Sequence, residues 1–449
     1  MSIREAQVAG HFYPAAPDVL AGQVDQALGT TARPPARRPK AIIAPHAGYG
    51  YSGPIAGTAY AALGDDVSDI TRVLLLGPAH RHAFNGIAVP SVSALKTPLG
   101  LVPVDWDAIS PLLTLPEIQV LDDAFRMEHS LEVQLPFLQR RLGAFKVVPL
   151  LVGGASADLV ERMLERLWGG PETLIVISSD LSHYTPYGDA RATDLETCRF
   201  VETLQAERLD GRRACGFRAM AGLIRRARAL DLRATTLDYR NSGDTAGNRD
   251  RVVGYAAISF EDAASARLAE GERAALKWVA KAGIERGLAT GACPPVDATT
   301  FPVALQAWRA AFVTVNLDGN LRGCIGSLVP HQPLAVDVAH NAFKAAFSDP
   351  RFPPLTAEEA GRIDIHVSIL STPRLMAFKD EADLVARLRP GVDGLILESA
   401  GRRGLFLPSV WEKLPDPAQF VRHLKAKAGL PPDHWAADLR VWRYTTESF

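Results

Sequence analysis

The sequence predicts two folded parts: an α/β first half, whose mainly parallel sheet is covered by helices on both faces, and a C-terminal α+β part built on an antiparallel sheet. Three observations carry this. At 449 residues the chain is long for one core, so two domains are expected. Through the first half, short apolar runs alternate with helical patterns, the βαβ order that makes strands parallel. Beyond residue 300 the pattern changes to strict two-residue alternation and an Asp-Gly-Asn turn, which signals antiparallel hairpins.

Taken in order, Pro17 to Leu28 reads as a helix with Leu20, Val24, Ala27 and Leu28 on one face, followed by a proline-rich connection from Gly29 to Lys40. Ala41 to Ala44 is a buried strand that Pro45 stops, so His46 emerges at its carboxyl end, where open α/β sheets keep their ligands. Gly48, Gly50 and Gly53 are expected to let the following loop turn sharply, with a helix resuming from Pro54 through Ile55, Ala59 and Leu63. Arg72 to Leu76 repeats the device: strand, Gly-Pro stop, then His80. Val147 to Val152 is a further strand, and Ser156 caps a helix carrying Leu159, Val160, Met163, Leu164 and Leu167. Thr173 to Ile177 is a third histidine-bearing strand, ending in Ser178-Ser179-Asp180-Leu181-Ser182-His183. Val252 to Phe260 reads as the closing strand, and the domain boundary is placed near residue 263, giving domains 1–262 and 263–449. In the second, a helix opens through Leu276, Val279 and Ala280. Phe312 to Leu317 and Leu321 to Leu328 form a hairpin, and Ile363, Ile365, Val367 and Ile369 share one face of a strand.

Composition narrows the function. Hydrophobic residues are 47% and charged residues 22%, ordinary for a soluble globular protein. Lys+Arg 49 against Asp+Glu 50 leaves a net charge of −1, which argues against general binding to nucleic acid or acidic membranes. The first residues lack a basic segment followed by an apolar core, and no stretch approaches a membrane span, so a cytoplasmic protein is expected. Cys198, Cys215, Cys293 and Cys324 are widely spaced, unlike a disulfide framework or a structural zinc site.

Three histidines, His46, His80 and His183, at equivalent strand ends are candidates for metal binding or acid/base chemistry, because neutral imidazole binds first-row metals and titrates near neutral pH. Glu128 and His129 lie just outside an expected helix cap at Ser130 and can face the same cleft; Ser130 and the neighbouring acidic residues equally suit a plain helix start. Asp180 is placed to hold His183 in one tautomer, or to cap the next turn. Cys215 reads either as a small buried hydrophobe or, near a helix start and beside Arg212 and Arg213, as a thiol biased toward thiolate.

His46-Ala47-Gly48-Tyr49, Gly77-Pro78-Ala79-His80, Glu128-His129-Ser130-Leu131-Glu132, Ser178 to His183 and Ala214-Cys215-Gly216, in this order, resemble the Memo family over about residues 3 to 262. Tyr239 to Asp244 and Val252-Val253-Gly254-Tyr255 fit as well. That family is similar in fold to the class III extradiol dioxygenases, non-haem iron enzymes that cleave catechol rings. The resemblance implies iron, or copper, at His46, His80 and Cys215, with His183 matching the dioxygenases' acid/base histidine. A cysteine replaces their carboxylate ligand, and a thiolate is softer and itself oxidisable, which sets catechol cleavage in question.

Leu321 to Ser327, Ser348 to Leu355, Gly391 to Leu395 and Gly404 to Pro408 resemble the AMMECR-one domain family from about residue 264 to the last residue given. Families of these two kinds are associated with a radical SAM protein in the AmmeMemoRadiSam system, and this chain resembles a fusion of that system's protein B and protein A. No cysteine triplet of the radical SAM kind is present, so that partner is expected as a separate chain. Cys324, between two glycines after a hairpin turn, reads as a nucleophilic or redox thiol or as tightly packed strand, with His366 able to approach it if their strands are neighbours. Arg322, Arg351 and Arg402 either bind an anionic substrate or solvate a surface.

Two functional readings follow. One is a metal-dependent, oxidoreductase-like enzyme acting on a small molecule or peptide, with His183, Asp180, Glu128, His129 and Cys324 as its catalytic candidates. The other is a non-catalytic peptide- or metal-binding scaffold that keeps a degenerate dioxygenase cleft.

Overall fold

Four apolar runs lie side by side in parallel at the centre of a nine-stranded sheet, in the order Ala41–Ala44, Thr173–Ser178, Arg72–Pro78 and Lys146–Val152. Successive residues of a strand point to opposite faces, yet nearly every residue of these four is buried, so helices cover the sheet on both sides. This computed structural model describes residues 2–29, 38–262, 268–293, 295–328, 330–371 and 373–449. The chain divides into two compact units, Met1–Ala266 and Arg267–Phe449. The boundary expected near residue 263 falls outside the described residues, as does most of the proline-rich connection, residues 30–37.

The first unit is α/β, with a sheet that is parallel at its centre and antiparallel on the Val252–Asp262 side; on the other side Ile87–Val89 runs antiparallel to Lys146–Val152 and parallel to the edge strand Ile118–Val120. Val252–Asp262 runs antiparallel to Ala41–Ala44 and also pairs with His183–Thr185 and with Leu232–Asn241. Ser156 caps Ala157–Leu167 through a bond from the Leu159 N–H, and the five apolar residues expected on its inner face are all buried. The helix after His46 begins at Tyr49, five residues earlier than expected, and carries Pro54 inside it. Gly50 and Gly53 are therefore helical, and Gly48, Gly50 and Gly53 all lack the left-handed backbone that a sharp turn would need. A glycine with a different task is Gly57. A Cβ there would come within 2.3 Å of the Ala27 carbonyl oxygen, so its absence lets Tyr49–Ala61 press against Pro17–Gly29.

The second unit is α+β, with its strands in two four-stranded antiparallel sheets. The first is ordered Asn320–Gly326, Ala311–Leu317, Ile363–Leu370, Thr446–Ser448; the second Arg374–Leu375, Arg440–Tyr444, Gly394–Ser399, Arg402–Phe406. The expected hairpin is present, and Asp318 and Gly319 both have positive φ, as a tight two-residue loop requires. Helices Glu270–Thr290 and Leu334–Phe347 pack together, the latter also against the first sheet. Cys198, Cys215 and Cys324 are not disulfide-bonded. Among the described residues, no helix is long and apolar enough to cross a membrane.

Candidate metal centre

Parallel register decides where the candidate residues meet. Ala44 lies beside Ser178, and Leu76 beside Ile177, so the three strands end on one rim. His46, His80 and Asp180 each stand two residues past a strand end on that rim. Their loops are tied together: the His46 N–H donates to Asp180 Oδ1 at 2.7 Å, and the Cys215 N–H to the Asp180 carbonyl at 3.2 Å. The His46 ring is buried, with Nδ1 2.9 Å from Ser178 Oγ and Nε2 3.3 Å from Cys215 Sγ.

Opposite His46 stands His80, ring centroids 5.2 Å apart and nearly perpendicular. Its Nδ1 lies 3.0 Å from Glu128 Oε1 and its backbone N–H donates to Oε2. The backbone N–H groups of His129 and Ser130 also donate to Oε1. Burial alone would raise the Glu128 carboxyl, but the His80 imidazole and the N–H groups of His80 and Ser130 outweigh it and hold it at about 2. His129 stacks on His80 at 4.9 Å, meets His46 edge-on and contacts Phe12; burial pushes it down to about 4 against the pull of Glu128. Two three-donor groups share His80: His46, His80 and Cys215, and His80, Glu128 and His129. Glu128 already accepts four N–H groups, so it serves to orient His80, and the first group is the one with donors to spare.

Three expectations are corrected here. Asp180 does not hold His183: its carboxylate accepts the N–H groups of His46 and Ala47, and burial pushes it up to about 7 against those bonds. The His183 ring instead donates to the Leu181 carbonyl and lies close enough to His80 to feel its charge, with burial the larger reason its pKa falls. Ser130 does not cap a helix; its hydroxyl donates to the Pro78 carbonyl, and the helix Leu135–Arg141 begins later, after a short 3₁₀ turn. Cys215 is not drawn toward thiolate by its arginines, because Arg212 is exposed against Asp210 and Arg213 pairs with Glu196. Burial, then the Asp180 carboxylate, pushes its thiol up to about 12.

The donors suit a soft or borderline first-row ion. The ligand atoms of His46, His80 and Cys215 lie within 4.8 Å of one another, whereas donors on one such ion sit about 3.5 Å apart, so a modest closing of the group would accommodate it. Sγ also receives the Asp180 N–H at 3.3 Å, a bond that favours a thiolate.

A family profile described as Memo-like protein matches residues 4–259, and one described as AMMECR1 matches residues 277–449. The chain belongs to the Memo family. Two MEMO1 family proteins, from Aquifex aeolicus and Sulfolobus acidocaldarius, are 36% and 34% identical, each over 58% of this chain and 100% of its own length. A solved structure of an uncharacterized protein from Pyrococcus horikoshii is 36% identical, covers 38% of this chain and 88% of its own, and has a TM-score of 0.37. The chain is thus a Memo unit fused to an AMMECR1 domain.

In the AMMECR1 domain, Cys324 Sγ accepts the Thr314 hydroxyl at 3.3 Å, its N–H donates to Asp349, and Arg351, paired with Asp349, donates to its carbonyl. His366 is not its neighbour. Thr314 stands opposite both residues, so the Ala311–Leu317 strand separates them, by roughly 10 Å across two strand spacings. His366 pairs with Asp364 instead. Arg322 is a structural residue: it bonds Glu359 through two nitrogens and also the carbonyls of Pro353 and Pro354. Arg402 bonds the Gly429 carbonyl.

Sequence reasoning missed Glu132, Gln134 and Ser178 as members of the Memo site. Glu132 accepts from Arg4, the N–H groups of Gln7 and Val8, and the Tyr13 hydroxyl. It thereby fixes the segment that brings Phe12 against His129. The one available signal was a polar Glu and Gln inside an otherwise apolar stretch, Leu131 to Leu138.

Proposed function

We propose that the Memo unit is a metal-dependent, oxidoreductase-like enzyme domain whose centre is His46, His80 and Cys215. The observation that supports it best is the convergence of two imidazole nitrogens and one thiol on a rim where each imidazole's Nδ1 is already engaged. Iron bound there, or copper, would supply redox chemistry toward an organic substrate. His183, one ring nitrogen engaged by Leu181, offers the other to accept or return a substrate proton. His129 and Phe12 wall the pocket, Glu128 holds His80, and Asp180 holds the His46 and Cys215 loops together. The resemblance to the AmmeMemoRadiSam proteins adds a radical SAM partner on a separate chain and a small-molecule or peptide substrate, with Cys324 as a reactive thiol of the AMMECR1 domain. Fusion keeps the two units at a high effective concentration, which favours successive action on one substrate.

Metal content after anaerobic purification tests this. Near-stoichiometric iron that is lost in Cys215→Ser and in His80→Ala, and whose spectrum changes on adding O₂, is the expected result. Folded protein that holds no metal and is unchanged by either substitution would overturn the centre. The alternative, a binding scaffold, draws on Met127 and Tyr184, which flank Glu128 and His183, are 54% and 63% exposed, and both have φ of 57°. A closed or metal-free site that captures peptides through this rim is the result that would favour it.

A further inference from the structure

Hydrogen counting around His46 goes further than the ligand set. Ser178 Oγ has one proton and three polar neighbours: the Ser130 carbonyl at 2.5 Å, Gln134 Nε2 at 2.8 Å and His46 Nδ1 at 2.9 Å. A carbonyl only accepts, so the Ser178 proton is committed to Ser130. Gln134 Nε2 also lies 2.9 Å from the Pro45 carbonyl, which identifies it as the amide nitrogen; its oxygen takes the Tyr60 hydroxyl at 2.8 Å. Gln134 therefore donates to Ser178 as well. With its proton used, Ser178 can only accept from His46, and Nδ1 must carry the hydrogen.

We infer that Ser178 is a positioning residue that locks His46 as the Nδ1–H tautomer, so that Nε2 is the atom offered to a metal. Nε2 is the nitrogen that faces Cys215 Sγ. The wrong tautomer would point an N–H at the metal position and leave no lone pair there. His80 is fixed in the same sense from another direction, Nδ1 on the Glu128 carboxylate. Both fixtures meet at one residue. The Ser130 N–H donates to Glu128 and the Ser130 carbonyl receives Ser178, so a single peptide segment sets which nitrogen each imidazole presents. All of Ser130, Gln134, Ser178 and Tyr60 are buried, so water does not compete for these bonds.

The inference rests on the proposed metal centre, and its first test does not require a metal. In the full chain with ¹⁵N-labelled histidine and no added metal, long-range ¹H–¹⁵N correlation is expected to show His46 protonated at Nδ1, the signal being assigned by its loss in His46→Asn. A His46 protonated at Nε2 would overturn the inference even if the protein binds metal. A correct tautomer in a protein that binds no metal would leave Ser178's role standing and sink the metal reading instead. In Ser178→Ala the tautomer signal is expected to shift or broaden, and Zn(II) affinity, measured against a competing chelator, to fall about 10–100-fold. Ser178→Thr, which keeps the hydroxyl, should restore both. An alanine variant with the wild-type tautomer and wild-type Zn(II) affinity would show that Ser178 positions nothing.

Discussion

Glu128→Gln perturbs the centre without changing its shape. The carboxylate receives four N–H groups: at Oε1 His80 Nδ1 at 3.0 Å, the His129 N–H at 2.9 Å and the Ser130 N–H at 2.8 Å, and at Oε2 the His80 N–H at 2.5 Å. A glutamine has one oxygen and one NH₂. Whichever way it sits, a donor faces a donor, and the less costly choice places NH₂ against the single His80 N–H. That orientation loses one hydrogen bond to a charged group, worth about 1.5–3 kcal/mol, and leaves three others with a neutral acceptor. The expected destabilisation is about 2–4 kcal/mol, read as a lower urea midpoint for the Memo unit. Because Glu128 also orients His80, affinity for Zn(II) against a competing chelator should fall about 10–100-fold. The two readouts separate the roles. A glutamine variant that unfolds at the wild-type midpoint and binds Zn(II) within twofold of wild type would refute the reasoning. A loss of stability with unchanged affinity would make Glu128 a structural hub only.

Other outcomes follow from the same geometry. Asp194 is fully buried, accepting the Ser182 N–H and the Tyr239 hydroxyl, and burial raises it to about 6 against those bonds. Its folded value exceeds its unfolded one, so its contribution to stability is greatest at low pH and declines as pH rises from about 4 to about 6, by about 3 kcal/mol. Asp194→Asn should remove that part of the stability–pH curve, and a variant whose curve parallels the wild type across this window would disprove the assignment. Gly57→Ala places a Cβ 2.3 Å from the backbone oxygen of Ala27, a group that cannot rotate away. It should lower the stability of the Memo unit by about 1–3 kcal/mol in urea unfolding, and an unchanged midpoint would mean that the two helices separate freely.

Much of the Memo site was legible in the sequence because strand ends are. A buried apolar run followed by a stop fixes where a histidine emerges, and alternating strand and helix makes the strands parallel, so His46 and His80 fall on one rim. The same local logic identified the Ser156 cap and the Asp318-Gly319 hairpin. What the sequence could not supply was the order of strands and the contacts between distant loops. Sequence proximity offers Asp180 to His183, three residues away, or to the next turn, whereas its carboxylate reaches the backbone of His46, 134 residues away, because Thr173–Ser178 lies beside Ala41–Ala44. His366 and Cys324 each suggested a partner to the other, and strand order placed Thr314 between them. Which nitrogen each imidazole offers was likewise decided by Ser178, Glu128 and Ser130, brought together only by folding. Local pattern sets periodicity and strand ends, which depend on near neighbours; hydrogen-bond partners across the rim depend on sheet order, which only the packed structure decides.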